Sequence, residues 1–322
     1  MRITNRMIDH ELRWMARVAR VLLRPTTPAA FRRLKWLTSL LRKSDRPKDL
    51  EVIETHLPRR DGKQLRIVIY KSCHPSGNKV PGILWAHGGG YLIGVPEQDV
   101  AVFRRLIGAS ECVIVAPDYR LGFESPFPAA LDDCYDALLW LRQHAEELGV
   151  RTDQIAVAGM SAGGGLTAAL TLYARDRGEP RIAFQMPLYP MIDDRMKTES
   201  SIDNDAPVWN SVANEVAWRV YLGELYGKDV PPYAAAARAT DYRGLPPTCT
   251  FVGDLDPFKD ETLEYVRNLR QAGVPVACEV YEGAYHGFDV LVPKAGISRK
   301  ATLFYLDWFK SAVNKYHALQ NL

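Results

Sequence analysis

Beyond residue 50, short β-branched runs alternate with longer amphipathic stretches, and this alternation leaves the chain few folds to choose from. The runs cover 65–70, 83–86, 113–116, 155–158, 184–188, 249–252 and 276–281. Helical periodicity fills 129–147, 162–176, 260–272 and 298–316. Such a pattern predicts an α/β fold class: a mostly parallel central sheet flanked by helices on both faces. At 322 residues, with 47% hydrophobic and 25% charged residues, the chain has the material for a large buried core and not the composition of a disordered or coiled-coil protein.

The first 50 residues are different. They hold 13 Lys or Arg against 4 Asp or Glu, so a net charge of +3 for the whole chain conceals a basic start and a mildly acidic remainder. Ile3, Met7, Ile8, Leu12, Met15, Ala19 and Leu22 recur at spacings of three and four, predicting a helix over 3–23 with one apolar face and Arg on the other. Its first role is to dock on its own protein, and basic amphipathic helices can also touch an anionic membrane surface weakly. Pro25 and Pro28 break it, a second amphipathic stretch follows over 29–41, and 42–49 reads as a polar linker. Residues 192–225 interrupt the strand–helix rhythm with an acidic, Ser-rich loop and an amphipathic helix over 211–222, where an inserted cap can sit. The N-terminus lacks the unbroken apolar run of a signal peptide or membrane span. Five widely spaced cysteines, Cys73, Cys112, Cys134, Cys249 and Cys278, with no CxxC pair, point to a reducing, cytoplasmic setting.

The chemistry concentrates in four places. Gln154 to Gly165 reads as a strand, a tight turn and a helix start, with Gly159-Met160-Ser161-Ala162-Gly163 at the turn. A Ser between a strand end and a helix start is forced into a strained backbone conformation that projects its hydroxyl, and flanking glycines relieve the crowding. A glycine-rich phosphate loop is the competing reading, but no Walker Lys follows and no GxGxxG is present. His87-Gly88-Gly89-Gly90 follows a second apolar strand, and its glycines can turn backbone N–H groups toward a developing oxyanion. Among the seven histidines (10, 56, 74, 87, 144, 286 and 317), His286 is the best base, because it lies just past the 276–281 strand where a loop at the sheet's C-terminal edge would begin. The orienting carboxylate should lie between serine and histidine in chain order. Asp256 is preferred, since Pro257 keeps it in a loop; Asp254 is its rival, and Asp260 looks like a first-turn helix residue.

Together with Asp118-Tyr119-Arg120-Leu121 and Pro126 to Leu131, the elbow, the HGGG loop, Asp256-Pro257 and His286-Gly287-Phe288 resemble the hormone-sensitive-lipase-like esterases, bacterial family IV. The resemblance implies an α/β-hydrolase core in two parts, 51–191 and 226–322, with a cap built from 1–50 and the 192–225 insertion. It implies catalytic Ser161, Asp256 and His286, and an oxyanion hole from the N–H groups of Gly89, Gly90 and Ala162 with Gly88 shaping the loop. Two departures stand out. Met160 occupies an elbow position that is usually Asp or Thr, and Gly122-Phe123-Glu124 replaces the usual Ala-Pro-Glu.

The expected activity is hydrolysis of short to medium acyl-chain esters through an acyl-enzyme, with no metal or cofactor. Tyr91, Leu92, Met160, Tyr189, Val208 and Trp209 are candidate pocket residues because they flank the motifs or lie in the proposed cap. An amidase, lactonase or carbamate hydrolase would use the same triad, and a non-catalytic receptor could use the same scaffold. The expected partner is a small-molecule ester and not nucleic acid, for which no motif is present. A homodimer is compatible with the sequence.

Overall fold

A computed structural model describes residues 2–22, 25–43, 47–59 and 61–320. Its centre is an eight-stranded sheet in the order β1-β2-β4-β3-β5-β6-β7-β8. The strands are β1 Leu50–Pro58, β2 Gln64–Ser72, β3 Val80–Ala86, β4 Val113–Pro117, β5 Val150–Met160, β6 Phe184–Leu188, β7 Thr248–Gly253 and β8 Val276–Tyr281. β2 runs antiparallel to both β1 and β4, and every other pairing is parallel. The first strand, β1, has no counterpart among the runs expected from sequence. Its Glu51, Glu54 and His56 interrupt the β-branched run that marks a covered strand, because it forms an edge and is only partly buried.

β4 and β6 are buried throughout, as expected of parallel strands covered on both faces. Alternation along β3 divides the interior into two layers. Ile83 and Trp85 enter one cluster with Phe103 and Leu106 of α3 (Val100–Ala109) and with Tyr305 and Phe309 of α9 (Gly296–Lys315). Leu84 and Ala86 point the other way, onto Leu138 and Leu141 of α4 (Ala129–Gln143) and Leu166 and Leu170 of α5 (Ala162–Arg177). That period of two turns one short sequence into the shared wall of both cores. α7 (Lys259–Gln271) packs Tyr265 and Leu269 against α5 residues Ala168 and Leu172 in a third cluster.

The N-terminal segment differs from the single helix expected over 3–23. Residues 5–12 form turns, and α1 spans only Arg13–Leu22, while Leu23 lies outside the described residues. The predicted face is therefore split: Ile3, Ile8, Leu12 and Ala19 are buried and Met15 is partly buried, whereas Met7 and Leu22 are exposed. α2 follows over Pro28–Ser39, opened by Thr27, whose hydroxyl accepts from the Ala30 N–H, and by Pro28 in the first turn. Part of the 42–49 linker lies outside the described residues. α6 spans Ser211–Leu222, capped by Asn210, whose side chain accepts from the Ala213 N–H.

These chain-distant pieces meet over the C-terminal edge of the sheet. The Ile3 N–H donates to Asp205 of the 192–225 segment, and Phe31 of α2 sits edge-on to Trp209 at 5.8 Å. The Asp9 N–H donates to Gly283 O, and the Tyr285 hydroxyl donates to Leu12 O. Among the described residues no helix is long and apolar enough to cross a membrane, and none of the five cysteines is paired in a disulfide.

Candidate active site

β5 delivers Ser161 to the edge of the sheet and α5 begins at the next residue. The serine backbone takes φ 58° and ψ −120°, a left-sided conformation that a side chain rarely tolerates. Crowding explains the glycines around it. A Cβ at position 159 would stand 2.5 Å from both Ala86 O and Gly163 O, and one at position 163 would stand 2.0 Å from Ala86 O. The elbow is thus wedged against the end of β3, where His87 to Gly90 begin.

His286 lies on the loop between β8 and the short helix α8 (Phe288–Leu291). The Ser161 Oγ–H donates to His286 Nε2 at 2.8 Å, and the His286 Nδ1–H donates to Asp256 Oδ2 at 2.7 Å. Pairing with a carboxylate fixes the proton on Nδ1 and leaves Nε2 free to accept. Asp256, on the loop after β7, is held in turn by the Phe258 N–H on its Oδ1 at 2.9 Å. All three side chains are buried. Aromatic rings brace the imidazole: Phe258 meets it edge-on at 5.0 Å and Tyr189 at 5.2 Å. Asp254 is engaged elsewhere, accepting from the Gly283 N–H at 2.7 Å, and burial raises its pKa. Asp260 falls in the first turn of α7 and accepts from the Ser200 N–H.

The glycine loop is pinned through its carbonyls. The Tyr119 hydroxyl donates to His87 O at 2.7 Å, and the Gln98 amide donates to Gly88 O at 3.2 Å. His87 itself stacks on Tyr119 at 4.1 Å, and burial lowers its pKa, so its ring stays neutral. Among the described residues the backbone N–H groups of Gly89, Gly90 and Ala162 reach no acceptor. Gly90 has φ 60°, and a Cβ there would sit 2.2 Å from the Trp209 ring. Glycine is required at that point by both backbone and space.

A cavity of about 320 Å³ opens over this group. Gly88, Gly89, Gly90, Ser161 and His286 line it, together with Met160, Tyr189, Val208 and Trp209. Tyr91 and Leu92 do not, which corrects the expectation for them. At φ 61° the Tyr91 backbone turns its ring under the cavity floor, where it stacks on Tyr221 at 3.9 Å and its hydroxyl donates to Met191 O. Leu92 is fully buried in the same layer. Ser161, Tyr189 and Val208 are three of the six non-glycine residues with positive φ among the described residues, so backbone strain gathers at this cavity.

Sequence reasoning missed several lining residues. Leu34 and Thr38 of α2 and Val290 of α8 close its sides, and Asp99 closes another part. Asp99 accepts from the Trp85 indole N–H at 2.8 Å, and burial pushes it up to about 7. Only the spacing of Asp99 from the HGGG loop could have marked it. A larger groove of about 660 Å³ beside Arg175, Arg181 and His317 contains no serine and lies apart from this chemistry.

Fold and geometry define an α/β hydrolase, and a family model described as the alpha/beta hydrolase fold matches residues 83–290. The chain belongs to that superfamily, in its hormone-sensitive-lipase-like branch. Among curated proteins it is 34% identical over 229 residues to Esterase LipI of Mycobacterium tuberculosis, covering 71% of each chain. It is 34% identical over 224 residues to Carboxylesterase NlhH of the same species, covering 68% of this chain and 70% of that one. Among solved structures it resembles a bacterial heroin esterase with a TM-score of 0.87 and 34% identity, covering 97% of this chain and 99% of that chain.

Proposed function

We infer that the protein is a serine carboxylesterase. The observation that carries this reading is the continuous hydrogen-bonded line from Ser161 Oγ through His286 to Asp256 beneath an apolar cavity. Relatives named esterase and carboxylesterase support the same class.

In this mechanism Ser161 Oγ attacks the ester carbonyl carbon as its proton passes to His286 Nε2, and Asp256 stabilises the imidazolium and fixes its tautomer. The N–H groups of Gly89, Gly90 and Ala162 receive the oxyanion; each such donor is worth about 3 kcal/mol in serine hydrolases. The tetrahedral intermediate expels the alcohol, which takes the proton from His286, and an acyl-enzyme remains. Water then attacks the acyl carbon while His286 accepts its proton, and the collapsing intermediate returns that proton to Ser161 and frees the acid. Gly88 shapes the loop, and Met160, Tyr189, Val208 and Trp209 bound the substrate.

Residues 1–50 and 192–225 form the cap of this reading, supported by Leu34, Thr38, Val208 and Trp209 around the cavity. A volume near 320 Å³ accommodates short to medium acyl chains and not three-chain glycerides. The unpaired thiols accord with a cytoplasmic setting. The test is hydrolysis of p-nitrophenyl esters of graded acyl length by the wild type and by Ser161→Ala. The wild type is expected to peak at short to medium chains and the variant to lose turnover and labelling by a serine-directed phosphonate. Retained turnover in Ser161→Ala would remove the serine from its role.

A further inference from the structure

We propose that the outward face of the two N-terminal helices is a docking surface for an anionic lipid bilayer. Among the described residues, nine of the sixteen large apolar side chains exposed to solvent lie between residues 7 and 41. Their spacing is not random. α1 buries Ala16 and Ala19, yet also carries a second apolar stripe on its free side: Trp14 at 56% exposure, Val18 at 38%, Val21 at 81% and Leu22 at 67%. α2 buries Phe31 and exposes Trp36 at 62% and Leu37 at 44%, and Leu40 and Leu41 continue that face into the following 3₁₀ turn. A helix that only covers its own protein carries polar residues on its free side.

Charge selects the occupant. Arg17 and Arg33 are exposed beside these stripes and form no ion pair among the described residues. The first 50 residues hold 13 basic against 4 acidic side chains. A second copy of the chain seated here would bring these arginines against their own equivalents. A bilayer with anionic headgroups supplies the opposite charge, while tryptophan and leucine enter the headgroup boundary.

The same helices wall the catalytic cavity. Pro25 follows α1 closely, and Leu34 and Thr38 belong to α2; all three line the cavity, and the 40%-exposed Val290 lines it from the other side. An ester dissolved in the bilayer would therefore pass along apolar side chains to Ser161. This purpose rests on the esterase reading, whereas docking itself does not.

The experiment is co-sedimentation of the full-length protein with phosphatidylcholine vesicles, with and without phosphatidylglycerol. Wild type is expected to bind the anionic vesicles, to bind neutral ones far less, and to be released by high salt. Arg17→Gln/Arg33→Gln is expected to bind about 25-fold more weakly, at about fivefold per arginine near the surface. Trp14→Gln/Trp36→Gln should weaken binding on both vesicle types. Both double variants should hydrolyse a soluble acetyl ester as wild type does, and Ser161→Ala should bind vesicles as wild type does. Absence of an anionic preference, or undiminished binding by both double variants, overturns the proposal and leaves the esterase reading intact. Concentration-dependent dimerisation abolished by the Trp variant, without vesicle binding, assigns the face to a second copy and also overturns it. Vesicle binding together with ester hydrolysis by Ser161→Ala would instead sink the catalytic reading alone.

Discussion

Gly163 rests directly on the backbone of Ala86, so close that an added Cβ would stand 2.0 Å from the Ala86 carbonyl oxygen. The contact sets the separation between the start of α5 and the end of β3, and hence between the serine and the glycine loop. Neither carbonyl nor helix can give way cheaply, because β3 lies within the buried sheet and α5 is packed against it. Gly163→Ala is expected to cost more than about 3 kcal/mol, as overpacking at a rigid contact does, and to abolish hydrolysis in whatever protein folds. Gly178 makes the control: it has φ 77° with open space around it, so Gly178→Ala should cost only about 1 kcal/mol. Thermal unfolding of the two variants checks the difference.

Tyr119 acts on the same loop from behind. Tyr119→Phe removes the hydrogen bond to His87 O at 2.7 Å and leaves a buried carbonyl unsatisfied, a loss of about 1–2 kcal/mol. If that bond aims the loop N–H groups at the transition state, kcat should fall about tenfold with KM nearly unchanged. Steady-state kinetics with a soluble ester decide the point; equal loss in KM would make the residue a simple packing element.

Trp209 forms a wall of the cavity, in contact with Gly90, Phe31 and His286. Trp209→Ala is expected to destabilise the fold by about 3–5 kcal/mol and to shift hydrolysis toward longer acyl chains relative to acetyl. An unchanged chain-length profile at reduced stability would show that substrate does not reach the indole.

Buried carboxyls, Asp289 and Asp99 among them, should contribute to the pH dependence of stability. Burial pushes Asp289 up to about 6 and Asp99 up to about 7. In each case the folded protein keeps a proton that the unfolded chain, with its ordinary carboxyl near 4, has already lost. Both groups therefore make stability fall as pH rises from about 4 to about 7, after which their effect levels off. Asp289→Asn should match wild type near pH 4 and gain on the order of 2 kcal/mol by neutral pH. Denaturant unfolding across that range tests the sign, and a gain largest at low pH would contradict it.

Much of this was legible in the sequence because strain and crowding leave local marks. Ser161 needs glycines at 159 and 163 wherever it occurs in such an elbow, and Asp256 needs a loop, which Pro257 enforces. His286 announced itself through its place after a strand. β1 and α3 went unnoticed for physical reasons: β1 is an edge strand without full burial, and α3 is only ten residues long with no side chain capping its start. Tyr91 and Leu92 were misplaced because adjacency to a motif says nothing about side-chain direction once the backbone takes φ 61°. Asp99, Leu34 and Val290 reach the cavity from three elements distant in sequence, a convergence that no local pattern records.

The grip of the N-terminal segment on the histidine loop has a temporal consequence. Asp9 pairs with Gly283, and Glu11 accepts from the Gly296 N–H across a separation of 285 residues. During synthesis residues 9 and 11 leave the ribosome long before their partners and can find their seat only after residue 296 has emerged. Nascent chains stalled before residue 296 should thus expose the unanchored segment around residues 9–11 to proteases, and maturation of the hydrolytic centre should be among the last events of folding.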